Sequence, residues 1–380
     1  MLRDGLDVRR LMGNASGAVA DLGVMIPIAA ALVIRNGFDP GTILVGAGAL
    51  YVVAGLLFRV PVPVQPIKAA AAIALARDLD PAVLSVAGII LGVVLLILGI
   101  TGASNYVTRI FSTPIVRGLQ LGVGLILLDT ALQLIESQSE LLVVTAIAAA
   151  LLVGARRVPV ALIVVAGGVA YSLIQGSTVD PQLGIWEPGA IGRLDVATFA
   201  SALVLLVVPQ LPLTFGNAVA AVVDLERKFF GERAKRVTPR AVSISCGLAN
   251  VAVGSLGGMP MCHGSNGLTA HHRAGARTYA MNIMIGMSLL ALGLFAGSFA
   301  FDVLALIPMS VLAGLLAFTG LNHGALVLDQ RGFELGVSVA MGIIGFATSN
   351  LALALGLGLA LYWGHRAIFS LRPVSVGRPD

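Results

Sequence analysis

Two clusters of proline, glycine and polar side chains break an otherwise apolar chain at matching places about 200 residues apart: Val60-Pro-Val-Pro-Val-Gln-Pro-Ile-Lys68 and Gly257-Gly-Met-Pro-Met-Cys-His-Gly-Ser-Asn-Gly267. In hydrocarbon, backbone groups freed from a helix have no water to bond, so such breaks survive only where protein or a polar cavity surrounds them. A corresponding pair in the two halves of a chain points to a transporter binding site near the bilayer midplane. Composition supplies the membrane setting: 57% of the 380 residues are hydrophobic and 11% charged, with a mean hydropathy of +0.96. That leaves too little polar surface for a soluble fold of this length. The apolar runs have helical length and lack the roughly ten-residue alternation of a barrel, so the expected fold class is an all-α polytopic membrane protein. Met1 to Arg10 is charged and no small-residue cleavage site follows, so no cleavable signal peptide is expected. Cys246 and Cys262 fall in apolar segments and form no zinc-type cluster.

Fourteen segments are expected, at 14–34, 40–58, 62–77, 81–102, 115–135, 141–154, 158–174, 197–224, 238–256, 259–273, 279–299, 302–321, 331–347 and 350–369. The third and tenth are too short to cross: at about 1.5 Å per residue, Val64 to Arg77 rises about 21 Å against roughly 30 Å of hydrocarbon. Each is expected to be a half-helix preceded by extended chain. With both termini in the cytoplasm, 20 of the 24 Lys and Arg lie inside, Arg35, Arg77 and Arg193 lie outside, and Lys68 lies in the membrane. That bias supports the count, and it reads the net charge of +5 as topology in a cell inner membrane, with no nucleic-acid motif in sight. Seven spans invert the second half relative to the first, giving a 7+7 inverted repeat. Residues 1–175 form the first repeat, 176–196 an external loop and 197–380 the second repeat; the basic stretch from Asp224 to Arg240 is the other sizeable soluble piece.

The breaks at Pro63 and Pro260 then become equivalents, with their half-helices meeting head to head. Pro66 suits the first helical position, where its missing N–H is no loss, with Gln65 at the cap. Gly264-Ser265-Asn266-Gly267 offers open N–H groups together with hydroxyl and amide caps. Two helix N-termini carry about +0.5 charge each, and Lys68, one short turn inside the first, brings the total to roughly +2, which balances a tetrahedral dianion.

At these residues the sequence resembles the molybdate transporter family. Pro61-Val-Pro-Val-Gln-Pro-Ile-Lys-Ala69, and Met259-Pro-Met-Cys-His-Gly264 continuing through Gly267-Leu268 to Gly275-Ala-Arg277, look like its two signature motifs. Ala20-Asp-Leu-Gly23 with Ile26-Pro27, and Pro209-Gln-Leu-Pro-Leu-Thr-Phe-Gly-Asn217, support the match. The resemblance covers most of the chain. It implies molybdate uptake and, by relation to the sulfate permeases, a fourteen-span inverted-repeat fold with core and gate domains. Two stretches depart from the family pattern: Ser265-Asn266 stands where Ala-Gly is usual, and His271-His272 where Gln and an aromatic residue are common.

The candidate substrate contacts are therefore Gln65, Pro66, Ile67, Lys68, Cys262, His263, Gly264, Ser265 and Asn266. Thr214 and Asn217 join them from a span kinked at Pro209 and Pro212, and Ser16 from span one, unless Ser16 and Asn14 are an ordinary N-cap. Lys68 either serves the anion or neutralises Asp21. Importing a dianion against a negative interior costs about 2.3 kcal/mol per charge per 100 mV, so coupling is needed, and Asp21 and then His263 are the proton-carrier candidates. His271 and His272 fall near the cytoplasmic end of the second half-helix and are expected at the interface. A single His–Cys pair falls short of a metal site, so neither metal nor other cofactor is expected. The expected partners are a small oxyanion and lipid, with a homodimer through the gate.

Sulfate or tungstate transport and an anion channel on the same fold are the alternatives. A nucleobase or carboxylate carrier would place an acidic residue near the second half-helix, and none stands between Gly254 and Leu268. Catalysis is not expected: Cys262 and His263 are the only adjacent nucleophile–base candidates, and sequence neighbours on a helix do not face one another.

Overall fold

The computed structural model describes residues 2–20, 22–104, 106–107, 111–154, 160–178, 185–187, 191 and 195–370. Asp21 and the topology markers Arg109, Arg156, Arg157, Arg193, Arg372 and Arg378 lie outside the described residues. In chain order the elements are α1 (Leu2–Ala20), α2 (Leu22–Asn36), α3 (Pro40–Phe58), the two-residue strand β1 (Gln65–Pro66), α4 (Lys68–Arg77), α5 (Pro81–Thr101), α6 (Thr113–Gln133), α7 (Gln138–Gly154) and α8 (Val160–Ile174). There follow the helical rod α9 (Val196–Ala234), α10 (Pro239–Ser255), β2 (Met261–Cys262), α11 (Ser265–Arg273) and α12 (Ala280–Ala305). The last three are α13 (Met309–Gly324, prolonged by a 3-10 turn, Ala325–Asp329), α14 (Gly332–Thr348) and α15 (Leu351–Ser370). Among the described residues six helices are long and apolar enough to cross a membrane: α3, α5, α6, α9, α13 with its turn, and α15.

Local chemistry sets several of the starts. Asp39 accepts from the Thr42 amide, Asp80 from that of Ala82 and Thr238 from that of Ala241, each directly before a proline that opens a helix. Three boundaries differ from the sequence reading. The first helix begins at Leu2, so Asn14 is no cap; its side chain instead accepts from the amides of Arg277 and Thr278 and donates to the Thr278 hydroxyl. The stretch after Asp224 stays helical to Phe230 and turns on to Ala234. Segment twelve starts only at Met309, because Pro308 caps α13 after α12 has run to Ala305.

Helices from opposite halves pack through glycine. A methyl group at Gly48 of α3 would stand 2.7 Å from the Gly286 carbonyl oxygen of α12, and one at Gly92 of α5 would stand 2.8 Å from that of Gly247 in α10. Gly124 of α6 meets Gly320 of α13 in the same way, at 2.7 Å. Such close backbone approach is how helices associate where no hydrophobic drive separates them from lipid. The helices thereby sort into one group around α3–α12 and α5–α10 and another around α6 with α13 and α14.

Candidate functional site

The two proline-rich breaks meet. β1 pairs antiparallel with β2, Gln65 opposite Cys262 and Pro66 opposite Met261, and the Ile67 amide donates to the Pro260 carbonyl at 3.1 Å. Asparagines hold the extended chain: Asn282 accepts from the Val62 amide (3.0 Å) and donates to its carbonyl (2.6 Å), and Asn250 accepts from the Met261 amide (2.7 Å). These buried amides satisfy backbone groups that no helix serves. A short helix follows each strand, α4 with ten residues and α11 with nine, and neither N-terminus has a side-chain cap. The caps differ from the sequence reading. Ile67, not Gln65, is the N-cap of α4; Lys68 is its first helical residue, and Pro66 sits in the strand. Gly264 caps α11, and the Ser265 hydroxyl donates across to the Asn217 side-chain oxygen instead of capping.

A cavity lies beside the strand pair. From the first break it is lined by Pro66, Lys68 and Ala69, from the second by Cys262, and from α9 by Gln210, Leu213 and Asn217. Gln120 and Val123 of α6 and His323 of α13 close it on the far side. None of these lining residues is a carboxylate. Lys68 is 8% exposed, and its ammonium donates to Gln65 Oε1 at 2.9 Å. Gln65 Oε1 in turn occupies the space a side chain at Gly264 would need: a Cβ there would stand 1.9 Å from it.

The remaining expected contacts lie off the lining. His263 is fully buried; its Nδ1 donates to the Pro63 carbonyl (2.7 Å), which leaves Nε2 to accept from Ser245 (3.1 Å). Thr214 is buried and accepts from Gln210 at 3.1 Å. Ile67 packs in the core, and Ser16 and Asn266 are exposed. α9 carries π-helical turns at Ala202–Val207 and Thr214–Ala220 on either side of Pro209 and Pro212, an irregularity frequent at functional sites. His271 departs from its expected interfacial place: it is fully buried, with Nδ1 donating to the Gly17 carbonyl (2.7 Å) and Nε2 facing the Tyr51 hydroxyl (3.4 Å). His272 stacks on Phe229 at 4.1 Å. Sequence reasoning passed over Gln120, Gln210 and His323. Each is a polar residue within a largely apolar helix, Gln120 one turn after Arg117 and His323 directly after Asn322, and intramembrane polarity is the signal that could have found them.

The sequence profile of the family described as "Molybdate transporter of MFS superfamily" matches residues 13–127 and 202–322. The chain belongs to this molybdate transporter family. It is 30% identical to molybdate transporter 2 of Arabidopsis thaliana over 93% of its length and 87% of that protein's. It is also 30% identical to Arabidopsis molybdate transporter 1 (87% and 83%), and 28% identical to molybdate transporter 1 of Chlamydomonas reinhardtii (94% and 93%). Among solved structures, the transmembrane domain of the cyanobacterial bicarbonate transporter BicA superposes with a TM-score of 0.67 at 17% identity, covering 91% of this chain and 97% of that one. SLC26A9 superposes at 0.68 and 14%, covering 96% and 66%, and the murine SLC26A9 anion transporter in its inward-facing state at 0.68 and 13%, covering 96% and 69%. At those identities the likeness is one of fold. As a family member the chain is a multi-pass membrane transporter of anions and not an enzyme.

Proposed function

We propose that the protein is a secondary active importer of a tetrahedral oxyanion, molybdate first and sulfate or tungstate next, working by alternating access. One observation carries the substrate class: Lys68, at the uncapped start of α4, and Cys262, in the strand that leads to the uncapped start of α11, line one cavity, and among the described residues lining it none is a carboxylate. Oriented N–H groups at helix starts hold oxyanions, and roughly two positive charges match a dianion. The relatives named as molybdate transporters favour molybdate among such anions.

In this reading the chain is a 7+7 inverted repeat of fourteen spans, with α4 and α11 as half-helices and both termini in the cytoplasm of a cell inner membrane. Spans one to four and eight to eleven form the core, the others the gate, and two copies pair through the gate. The glycine contacts support that division, since α3–α12 and α5–α10 are the same contact made twice. Rocking of core against gate exposes the site alternately. Protons drive import, with Asp21 the first candidate carrier and His263 the second. A proton on His263 Nε2 would turn Ser245 from donor to acceptor.

Competition of labelled molybdate against sulfate on purified protein tests the substrate, with molybdate expected to win. Uptake into proteoliposomes that ignored an imposed pH gradient would sink proton coupling, and equilibration without accumulation would indicate a channel.

A further inference from the structure

Resting on that oxyanion reading, we propose that Gln120 is an anion-binding residue supplied from the gate side, and that Arg117 is the positioning residue that turns its amide toward the anion. Arg117 Nη1 lies 2.9 Å from Gln120 Oε1, one helical turn away on α6. A guanidinium has only donors, so the amide oxygen must face it, and the orientation of Gln120 is fixed by chemistry. Arg117 is itself anchored: Nε reaches Asp329 Oδ1 at 3.1 Å and Oδ2 at 2.8 Å, and Nη2 reaches Oδ2 at 2.6 Å. Gln330 Nε2 donates to the same carboxylate at 2.6 Å. With its oxygen so engaged, Gln120 has its amide nitrogen, a double donor, left for the cavity it lines. The side chain is 4% exposed, in surroundings where such a hydrogen bond is strengthened by low dielectric and by the cation behind it.

Lys68 lines the same cavity from the α4 side. An oxyanion held by both adds a link between the two helix groups, which already pack against each other through α4 and α6, and an empty site lacks that link. Binding then favours the movement of the loaded carrier over that of the empty one. An amide that offers two donors and no acceptor suits a guest with oxygen acceptors all round.

The test is equilibrium binding of molybdate and of sulfate to the purified full-length protein. Losing a hydrogen bond to a charged group corresponds to a Kd raised about tenfold or more, which is the result expected for Gln120→Leu with both anions. Gln120→Glu keeps the size and the Arg117 contact but turns an oxygen on the anion, so its Kd should rise further; it decides the matter alone if the Leu variant does not fold. Arg117→Gln should raise Kd severalfold in the wild-type background and leave it unchanged in the Gln120→Leu background, a coupling that a merely structural arginine would not give. Wild-type affinity in both Gln120 variants, or an Arg117 effect of equal size in both backgrounds, would overturn the proposal. Wild-type protein that binds neither anion instead fails the transport reading. Loss of binding on Lys68→Ala with none at Gln120 fails the present inference alone.

Discussion

α4 and α11 begin alike and contribute differently. Each follows a two-residue strand, lacks a side-chain cap and has an asparagine holding the chain before it. From the first break come bulk and charge: the Gln65 side chain fills the space beside Gly264, and Lys68 stands at the first helical position and donates to it. The second contributes room, because Gly264 has no side chain where Gln65 needs to be, and His263 turns away to hold the Pro63 carbonyl. The asparagines differ too: Asn282 serves both the amide and the carbonyl of Val62, whereas Asn250 serves only the amide of Met261. Two similarly built breaks thus give the proposed site two unlike sides, with the fixed charge on α4 and the clearance at Gly264.

The largest effect is expected where the halves differ most. Lys68→Ala removes the only formal charge brought by either break, and a charge-assisted hydrogen bond of about 1.5–3 kcal/mol corresponds to roughly 10–150-fold in Kd. Calorimetric titration with molybdate should show a loss near the upper end of that range. An unchanged affinity would mean that the lysine is structural and that the helix ends alone hold the anion.

Next in size is Gly264→Ala. The added methyl would displace Gln65, and overpacking costs about 1–3 kcal/mol of stability. Because Gln65 accepts from Lys68, affinity should fall about tenfold as well, a size set by one charged hydrogen bond. The corresponding position before α4 is Ile67, a core residue. Ile67→Val should cost about 0.5–1.5 kcal/mol of stability and leave affinity unchanged. Equal losses of affinity at the two positions would abolish the division of labour between the halves.

Much of this was legible in the sequence because proline and glycine act locally. Pro40, Pro81 and Pro239 with their preceding capping residues mark three helix starts, and the Pro63 and Pro260 clusters mark the breaks. Residues whose role depends on a distant partner were not legible. Asn14 resembles a cap until the Arg277–Thr278 turn arrives 263 positions later to bond it. The capping assignment of Gln65 failed for a related reason: strand pairing with Cys262 ties up the backbone around it, and Lys68 takes its side chain. Gln120 and His323 belong to helices that meet the site only once α6 and α13 cross at Gly124 and Gly320, a contact that no local pattern encodes.

The smallest effect is expected at the one cavity residue that comes from the second break. Cys262 lines the cavity and is 7% exposed, whereas Cys246 of α10 is 0% exposed. If the anion's charge is met mainly by Lys68 and the helix ends, a thiol beside it contributes little. Cys262→Ser, which exchanges a weak donor for a better one of similar shape, should then change Kd by no more than about threefold. Its position makes it a reporter all the same. A small thiol-alkylating reagent reaches a side chain that faces a cavity and spares one sealed in packing, so Cys262 should react before Cys246, and molybdate should slow it. Mass spectrometry of the two peptides with and without the anion reads both outcomes at once. Were Cys246 to react first, or Cys262 to react at one rate regardless of molybdate, the anion would have to sit elsewhere than beside the strand pair. The contrast between a charged half and an open half would then describe packing alone.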